Sequence, residues 1–118
     1  MKREMDLSRK ILQRLEEKEG ASGWLKGYFE GYSDEQVSYH IKLLYEANLI
    51  EAIDTSSSSG FCWEAKNLTW DGHEFLEASR SDTVWNSAKD ILQEKGVGMP
   101  FEILKQLLVQ LAKDSVFG

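Results

Sequence analysis

The chain has 118 residues, of which 42% are hydrophobic and 29% charged, the usual mixture for a globular protein. This length fits one folded domain and excludes a large multidomain enzyme. With a single cysteine, Cys62, the chain cannot form an internal disulfide framework. Acidic residues outnumber basic ones by 20 to 14, and the resulting net charge of -6 is opposite in sign to that of most nucleic-acid-binding proteins.

No apolar run approaches the ~18 residues that a helix needs to cross a bilayer. The first residues, MKREMDLSRK, carry positive charges with no apolar segment behind them, unlike a secretory signal. We therefore expect a soluble cytoplasmic protein that has no membrane partner.

The first third of the chain predicts one helix followed by an irregular segment. Asp6 is the predicted cap of a helix that runs to about Glu19 and stops at Gly20. Residues 21–32 carry three glycines among four aromatic residues, which predicts a turn and a short extended segment. Aromatic side chains in so small a domain ordinarily fill the core, and a ligand pocket is the alternative.

A second helix is predicted from Ser33 to about Asn48. Ser33 and Gln36 have the spacing of a capping box, and Asn48 stands where the chain leaves a helix through a left-handed residue. Helical spacing assigns one face to the core and the other to solvent. The buried face contains Val37, Ile41 and Leu44, and the exposed face contains Glu35, Tyr39, Lys42 and Glu46.

The middle of the chain predicts a β-hairpin and then a third helix. Residues 49–54 and 61–67 are rich in β-branched and aromatic residues and flank a polar tip, Thr55 to Gly60. Thr69 is the predicted cap of a helix that runs to about Arg80, with Phe75 and Leu76 facing inward.

Two further helices are predicted at the C-terminal end. Ser81 or Asp82 caps a fourth helix that reaches Gly96, and Pro100 fits the first turn of a last one. The last helix has more apolar residues than one face can bury against a small domain, which predicts a homodimer contact. The residues of this predicted contact are Phe101, Leu104, Leu108 and Leu111.

The order helix, loop, helix, hairpin, helix is typical of a winged helix-turn-helix. We therefore expect a mainly α chain with a β-hairpin wing, an α+β class. Residues 1–81 form the predicted winged helix-turn-helix. Residues 82–118 form two extra C-terminal helices, packed as part of one domain and serving dimerisation.

Two stretches carry family resemblances. VSYHIKLLYEANLIEA followed by LTWDGHEFLEA resembles the recognition helix, first wing strand and post-wing helix of MarR-like and ArsR-like regulators. Asn48 replaces the glycine usual in those families. Together with MKREMDL, the W-N near Trp85 and PFEILKQLL, these stretches resemble the small bacterial and prophage family called domain of unknown function 2513. That resemblance implies a winged-helix fold and no established activity.

The fold analogy predicts a DNA-binding transcriptional regulator with duplex DNA as its partner. The residues predicted to contact bases or phosphates are Gln36, Ser38, Tyr39 and Lys42 on the second helix and Ser57, Ser58 and Lys66 on the wing. Charge opposes this function, because residues 32–48 hold three acidic residues and one lysine. The alternative is an acidic winged-helix module that binds a protein partner and not DNA.

The first helix has the one basic concentration of the chain. Lys10, Arg14 and Lys18 follow at steps of four and share a helix edge. This edge either contacts a DNA backbone or forms a solvated face with i,i+4 pairs.

Catalytic and cofactor motifs are not evident. His40, His73 and Cys62 lack metal-ligand spacing, and Cys62 has no basic neighbour that would activate a nucleophile. The glycines at 20, 23, 27 and 31 match neither a P-loop nor a dinucleotide fingerprint. We expect no enzyme activity, no cofactor and no metal.

Overall fold

The computed structural model describes residues 1–18, 20–21, 23–25, 28–95 and 101–117. These residues form the helices α1 (Met5–Glu17), α2 (Asp34–Glu46), α3 (Trp70–Ala78), α4 (Asp82–Lys95) and α5 (Phe101–Phe117), and the strands β1 (Ile50–Asp54) and β2 (Trp63–Leu68). This order confirms the predicted mixed α+β class and is compatible with a winged helix, because helices precede and follow a two-stranded antiparallel hairpin. The chain divides into two compact units, Met1–His73 and Glu74–Gly118, and the division falls within α3.

Helix α1 buries one apolar stripe in the first unit, at the spacing that the sequence predicts. Its buried residues are Leu7, Ser8, Ile11, Leu12 and Leu15. Asp6 as the N-cap was wrong: the cap is Glu4, whose side chain makes no capping bond, and Asp6 lies in the first turn. The Glu4 backbone N–H instead donates to His40 Nε2 over 2.7 Å, so a tertiary contact fixes the start of this helix.

The end of α1 leads into an irregular segment. Lys18 is the C-cap, and Gly20 has a φ of 76°, a left-handed conformation that glycine adopts without steric cost. Glu19, the predicted last residue, lies outside the described residues. Further along, Leu25 pairs antiparallel with Ala65 of β2 in an isolated bridge, which confirms the predicted short extended segment.

Helix α2 starts and ends as its sequence predicts. The Gln36 backbone N–H donates to Ser33 Oγ over 3.1 Å, and the Ser33 backbone N–H donates to Gln36 Oε1 over 2.8 Å, which completes the capping box. At the other end, Asn48 has a φ of 67°, the left-handed conformation expected after a helix.

The junction between α2 and α3 explains why Thr69 and Gly72 occur in the stretch LTWDG, residues 68–72. Thr69 Oγ1 donates to the Asn48 carbonyl oxygen over 2.6 Å and accepts from the Gly72 backbone N–H over 3.0 Å, so one hydroxyl caps α3 and ties it to the end of α2. Gly72 packs so closely on the Leu49 carbonyl that a Cβ atom at this position would overlap it.

The hairpin pairs β1 with β2 in antiparallel register, with Ile50 opposite Leu68 and Asp54 opposite Trp63. The register shifts between Glu51 and Ala52, where one strand carries an extra residue. At the tip, Ser57 and Gly60 exchange two backbone hydrogen bonds of 3.0 Å each. The tip is therefore an ordered turn of exposed serines.

The second unit has its own small core. Phe75 of α3 packs edge-on against Trp85 of α4, with ring centroids 6.4 Å apart. Ser81 is the N-cap of α4, because its Oγ accepts from the Val84 backbone N–H over 3.3 Å. The predicted helix boundaries Gly96 and Pro100 lie outside the described residues.

Candidate binding groove between α2 and the wing

Helix α2 presents a polar face to solvent, as its spacing predicts. Val37, Ile41 and Leu44 are buried, and Glu35 and Glu46 are exposed. Asp34 and Glu35 occupy its first turn, where the positive end of the helix dipole stabilises carboxylates. The part of this helix that would enter a major groove first is therefore negatively charged.

Gln36 and Ser38, both predicted DNA contacts, are occupied within the protein. The Gln36 side-chain oxygen accepts the capping-box bond described above. Ser38 is 6% exposed, although the sequence predicts that it lies on the outer face. Its hydroxyl accepts a 3.1 Å hydrogen bond from the Trp63 backbone N–H, because β2 lies against this side of α2.

Tyr39 and Lys42 do lie on the outer face, both partly exposed. The Tyr39 ring packs edge-on against His40, with centroids 5.9 Å apart. Lys42 Nζ lies 3.5 Å from a carboxylate oxygen of Glu46. An exposed pair of this kind contributes little stability, but it neutralises the lysine locally.

The wing residues of the predicted DNA site lie at two separate places. Ser57 and Ser58 are exposed at the tip, and Ser57 Oγ lies 2.6 Å from Ser59 Oγ. Lys66 lies on β2, where its Nζ is 5.4 Å from the centre of the Trp24 ring. Ser38 and Ser57 line one groove between α2 and the hairpin, and Lys66 does not.

The basic edge of α1 holds the segment that follows this helix. Arg14 Nη1 donates to the Tyr28 carbonyl oxygen over 2.6 Å, and the guanidinium carbon lies 3.7 Å from the centre of the Phe29 ring. Lys18 Nζ donates to the carbonyl oxygens of Gly20 over 3.0 Å and Gly23 over 2.8 Å. This edge is thus engaged in intramolecular contacts that neither sequence interpretation includes.

A groove of about 730 Å³ lies between α2 and the hairpin. It is lined by Tyr28, Asp34, Val37, Ser38, Ile41, Thr55, Ser57, Ser59, Gly60, Phe61, Cys62, Trp63 and Glu64. The volume falls within the range of about 300–1,000 Å³ that is typical of ligand-binding clefts. The segment before α2, the first turn of α2 and the hairpin all contribute to its walls.

The groove combines carboxylates with exposed aromatic rings. Asp34 and Glu64 supply the carboxylates, and no lysine, arginine or histidine is among the described residues that line it. Tyr28 is 73% exposed and Phe61 41% exposed, whereas Phe29 next to Tyr28 is 2% exposed. The prediction that aromatic residues fill the core is therefore confirmed for Phe29 and wrong for Tyr28 and for Trp24, which is 46% exposed.

Two further groups set the chemistry of the groove and of the wing beside it. Trp63 packs against Tyr45, with ring centroids 5.6 Å apart, and its buried Nε1 has no hydrogen-bond partner among the described residues. Hydrogen bonds from the Ser56 hydroxyl and then its backbone N–H lower the pKa of Asp54. Asp54, the last residue of β1 before the tip, is ionised at neutral pH, because its pKa lies below the ordinary value of 3.8.

Sequence reasoning missed this groove because its members are spread along the chain. The signal that could have found it is the run of acidic and aromatic residues without a cation in residues 28–35 and 61–64. The sequence predicts that the acidic residues of the second helix and the wing oppose DNA and favour a protein partner, but it does not show that Asp34 and Glu64 line one groove.

The predicted dimer residues occupy different environments in the second unit. Leu104 is 1% exposed and Leu108 fully buried, so the protein's own chain already covers both. Leu111 is half-buried, and the side chain of Phe101 lies outside the described residues. None of the helices that the structure describes is long and apolar enough to cross a membrane.

Comparison with known proteins places this arrangement in a family. The family model "Hypothetical protein (DUF2513)" matches residues 2–98, which include the groove and end before α5. The chain belongs to the DUF2513 family. A DUF2513 relative from Haemophilus influenzae, described as an uncharacterized protein, is 47% identical over 108 residues, which cover 91% of this chain and 92% of the relative. No solved structure matches this DUF2513 chain.

Proposed function

We propose that this chain is a winged-helix protein-interaction module that binds a basic segment of a partner protein in the groove between α2 and the wing. The observation that carries the proposal is the lining of that groove, with Asp34 and Glu64 as carboxylates and no cation among its described residues. The net charge of -6 supports attraction of a basic partner over attraction of DNA.

The positions of the basic side chains support the same proposal. Lys42 pairs with Glu46, Lys66 lies over the Trp24 ring, and Arg14 holds the segment that contains Phe29. A duplex binder derives most of its non-specific affinity from cations that neutralise phosphates. Each of these cations would have to leave an intramolecular contact to do so.

The second candidate is a DNA-binding transcriptional regulator. The winged-helix-like arrangement, the partly exposed Tyr39 and the exposed tip hydroxyls of Ser57 and Ser58 favour it. Hydroxyl groups can donate to phosphate oxygens without a positive charge. This function requires that the acidic first turn of α2 be kept away from the phosphates.

A binding assay with the purified full chain separates the two functions. Fluorescence anisotropy is measured with a labelled peptide rich in lysine and arginine, with its acidic counterpart and with random-sequence duplex DNA, from about 50 to 200 mM salt. We expect binding of the basic peptide alone. DNA binding that falls steeply with salt, together with no peptide binding, would establish the second candidate.

Variants locate the binding in the groove. Replacing Asp34→Asn and Glu64→Gln together removes both carboxylates of the groove and should weaken binding of the basic peptide. The matched control replaces Asp90→Asn and Glu94→Gln, which removes two exposed carboxylates of α4. Equal weakening by both pairs would mean that net charge, and not the groove, attracts the peptide.

The homodimer stays a prediction. The exposed part of α5 changes the residues that we propose for its contact. Ile103 is 48% exposed, and Leu107 and Leu111 follow at steps of four and are half-buried. This row could pack against a second copy, whereas Leu104 and Leu108 serve the unit's own core. Light scattering at tens of micromolar gives the molar masses of the wild type and of Ile103→Asp and so tests this contact. A monomeric wild type would contradict the prediction.

A further inference from the structure

We infer that the groove between α2 and the wing recognises an arginine side chain of the bound segment, in preference to lysine. This inference rests on the proposed function, because it names the residue that the basic partner presents. It follows from the combination of flat aromatic surface and carboxylates in one cleft.

The aromatic surface is the first element of the argument. Tyr28 is 73% exposed and Phe61 41% exposed, and both line the cleft. Exposed rings of this size cost free energy in water, and a planar guanidinium can stack on them while it keeps its hydrogen-bonding edge in solvent. A lysine ammonium is a compact, strongly hydrated charge that stacks less well.

The carboxylates are the second element. Asp34 and Glu64 line the same cleft as the rings. A guanidinium presents five N–H donors in a fixed fork that can bond a carboxylate bidentately, whereas an ammonium acts as a point charge. A ring of this cleft therefore suits the flat face of a guanidinium, and a carboxylate suits its hydrogen-bonding edge.

A guanidinium–ring contact already occurs within this protein. The Arg14 guanidinium carbon lies 3.7 Å from the centre of the Phe29 ring, and its Nη1 donates to the Tyr28 carbonyl oxygen. The neighbouring Tyr28 side chain lines the groove with its ring largely exposed. The Tyr28 carbonyl group and the Phe29 ring therefore hold Arg14 of α1. The ring of Tyr28 itself remains largely exposed.

The size and the lining of the cleft favour a peptide segment as the occupant. A volume of about 730 Å³ holds more than a single cation. The Tyr28 and Phe61 rings add apolar surface that a peptide side chain can cover and a free metal ion cannot.

Matched peptides test the preference. Two labelled peptides of equal length and charge, one with arginines and the other with lysines at the same positions, are titrated with the full chain by fluorescence anisotropy. We expect the arginine peptide to bind about tenfold more tightly, which corresponds to about 1.4 kcal/mol, because the guanidinium both stacks on a ring and bonds a carboxylate bidentately. Equal affinity for the two peptides would overturn the inference and leave the proposed function standing. If neither peptide binds, both fail.

Variants of the exposed rings locate the effect. Tyr28→Ala and Phe61→Ala should each reduce the ratio of arginine to lysine affinity, and Tyr28→Phe should keep it because the ring face remains. Trp70→Ala is the control, because Trp70 is 78% exposed but lies on α3 outside the groove. A ratio unchanged by Tyr28→Ala and Phe61→Ala would overturn the assignment of arginine recognition to this cleft. Circular dichroism confirms that each variant is folded.

Discussion

Gly72 lies directly against the carbonyl group of Leu49, so closely that a Cβ atom at residue 72 would overlap the carbonyl oxygen. The contact brings the first turn of α3 onto the chain that leaves α2. The atoms in contact belong to the backbone and cannot move aside as the end of a flexible side chain can. Any residue other than glycine at position 72 would therefore displace the backbone.

The first prediction concerns this contact. Gly72→Ala should lower the free energy of unfolding by about 1–3 kcal/mol or more, because the added methyl group forces the backbone of α3 away from Leu49. Urea unfolding followed by circular dichroism measures the change. Gly23→Ala is the control, since a Cβ there meets no atom within 4 Å. An equal loss in both variants would contradict the close-packing explanation.

The second prediction concerns the left-handed residue after α2. Asn48 has a φ of 67°, so Asn48→Ala should lower the free energy of unfolding by about 1 kcal/mol, whereas Asn48→Gly should keep or raise it. The preceding Ala47 has a φ of -80° in the right-handed region, and Ala47→Gly should therefore be destabilising. Thermal unfolding of the three variants and the wild type gives the order of their stabilities. The prediction is wrong if glycine has the same effect at both positions.

The third prediction concerns pH. His40 is fully buried, its Nε2 accepts from the Glu4 backbone N–H, and Nδ1 lies 2.7 Å from the Gln36 carbonyl oxygen, to which it donates as the neutral tautomer. Burial lowers the pKa of His40 below its ordinary value of 6.5, against smaller opposing effects of Gln36 and Glu4. Below about pH 6.5, the pKa of His40 in the unfolded chain, the unfolded chain binds a proton at this residue more readily than the folded chain does. Stability is therefore full above about pH 6.5 and falls as the pH drops below it.

Unfolding at about pH 7.5 and about pH 5.5 measures this dependence. His40→Asn should be less stable at both values, since the pair of hydrogen bonds is lost, and should show a smaller difference between them. His73→Gln, at an exposed position of α3, is the control and should keep the wild-type difference. A His40→Asn variant with the full wild-type pH dependence would assign the effect to other groups.

The fourth prediction concerns the basic edge of α1. Arg14→Lys keeps the charge but loses the guanidinium that covers the Phe29 ring and bonds the Tyr28 carbonyl. We expect a loss of about 0.5–1 kcal/mol in the free energy of unfolding. Lys10→Arg should have little effect, because Lys10 is exposed and its Nζ lies 5.7 Å from the centre of the Tyr32 ring, near the outer limit of such a contact. Chemical unfolding measures the free energy of unfolding of both variants. Equal stability of Arg14→Lys and the wild type would refute the role of the guanidinium.

The sequence alone determined the local features of this protein. The capping box of Ser33 and Gln36, the left-handed Asn48 and the Thr69 cap are each set by a few neighbouring residues. Such features depend on backbone geometry and short-range hydrogen bonds, so their patterns can be read before the fold is known. The hairpin and the α+β class follow from the same local signals.

Tertiary structure decided which side chains are covered by the protein itself and which remain exposed. Ser38 is buried because β2, 25 residues further along the chain, brings the Trp63 backbone N–H to its hydroxyl. Arg14 and Lys18 are engaged because the irregular segment folds back onto α1 and presents its carbonyl groups. The groove assembles Tyr28, Asp34 and Glu64 from three separate segments. Helical periodicity assigns a side chain to a face, but the neighbour that covers that face comes from distant sequence, and only the folded chain shows which side chains remain for a partner.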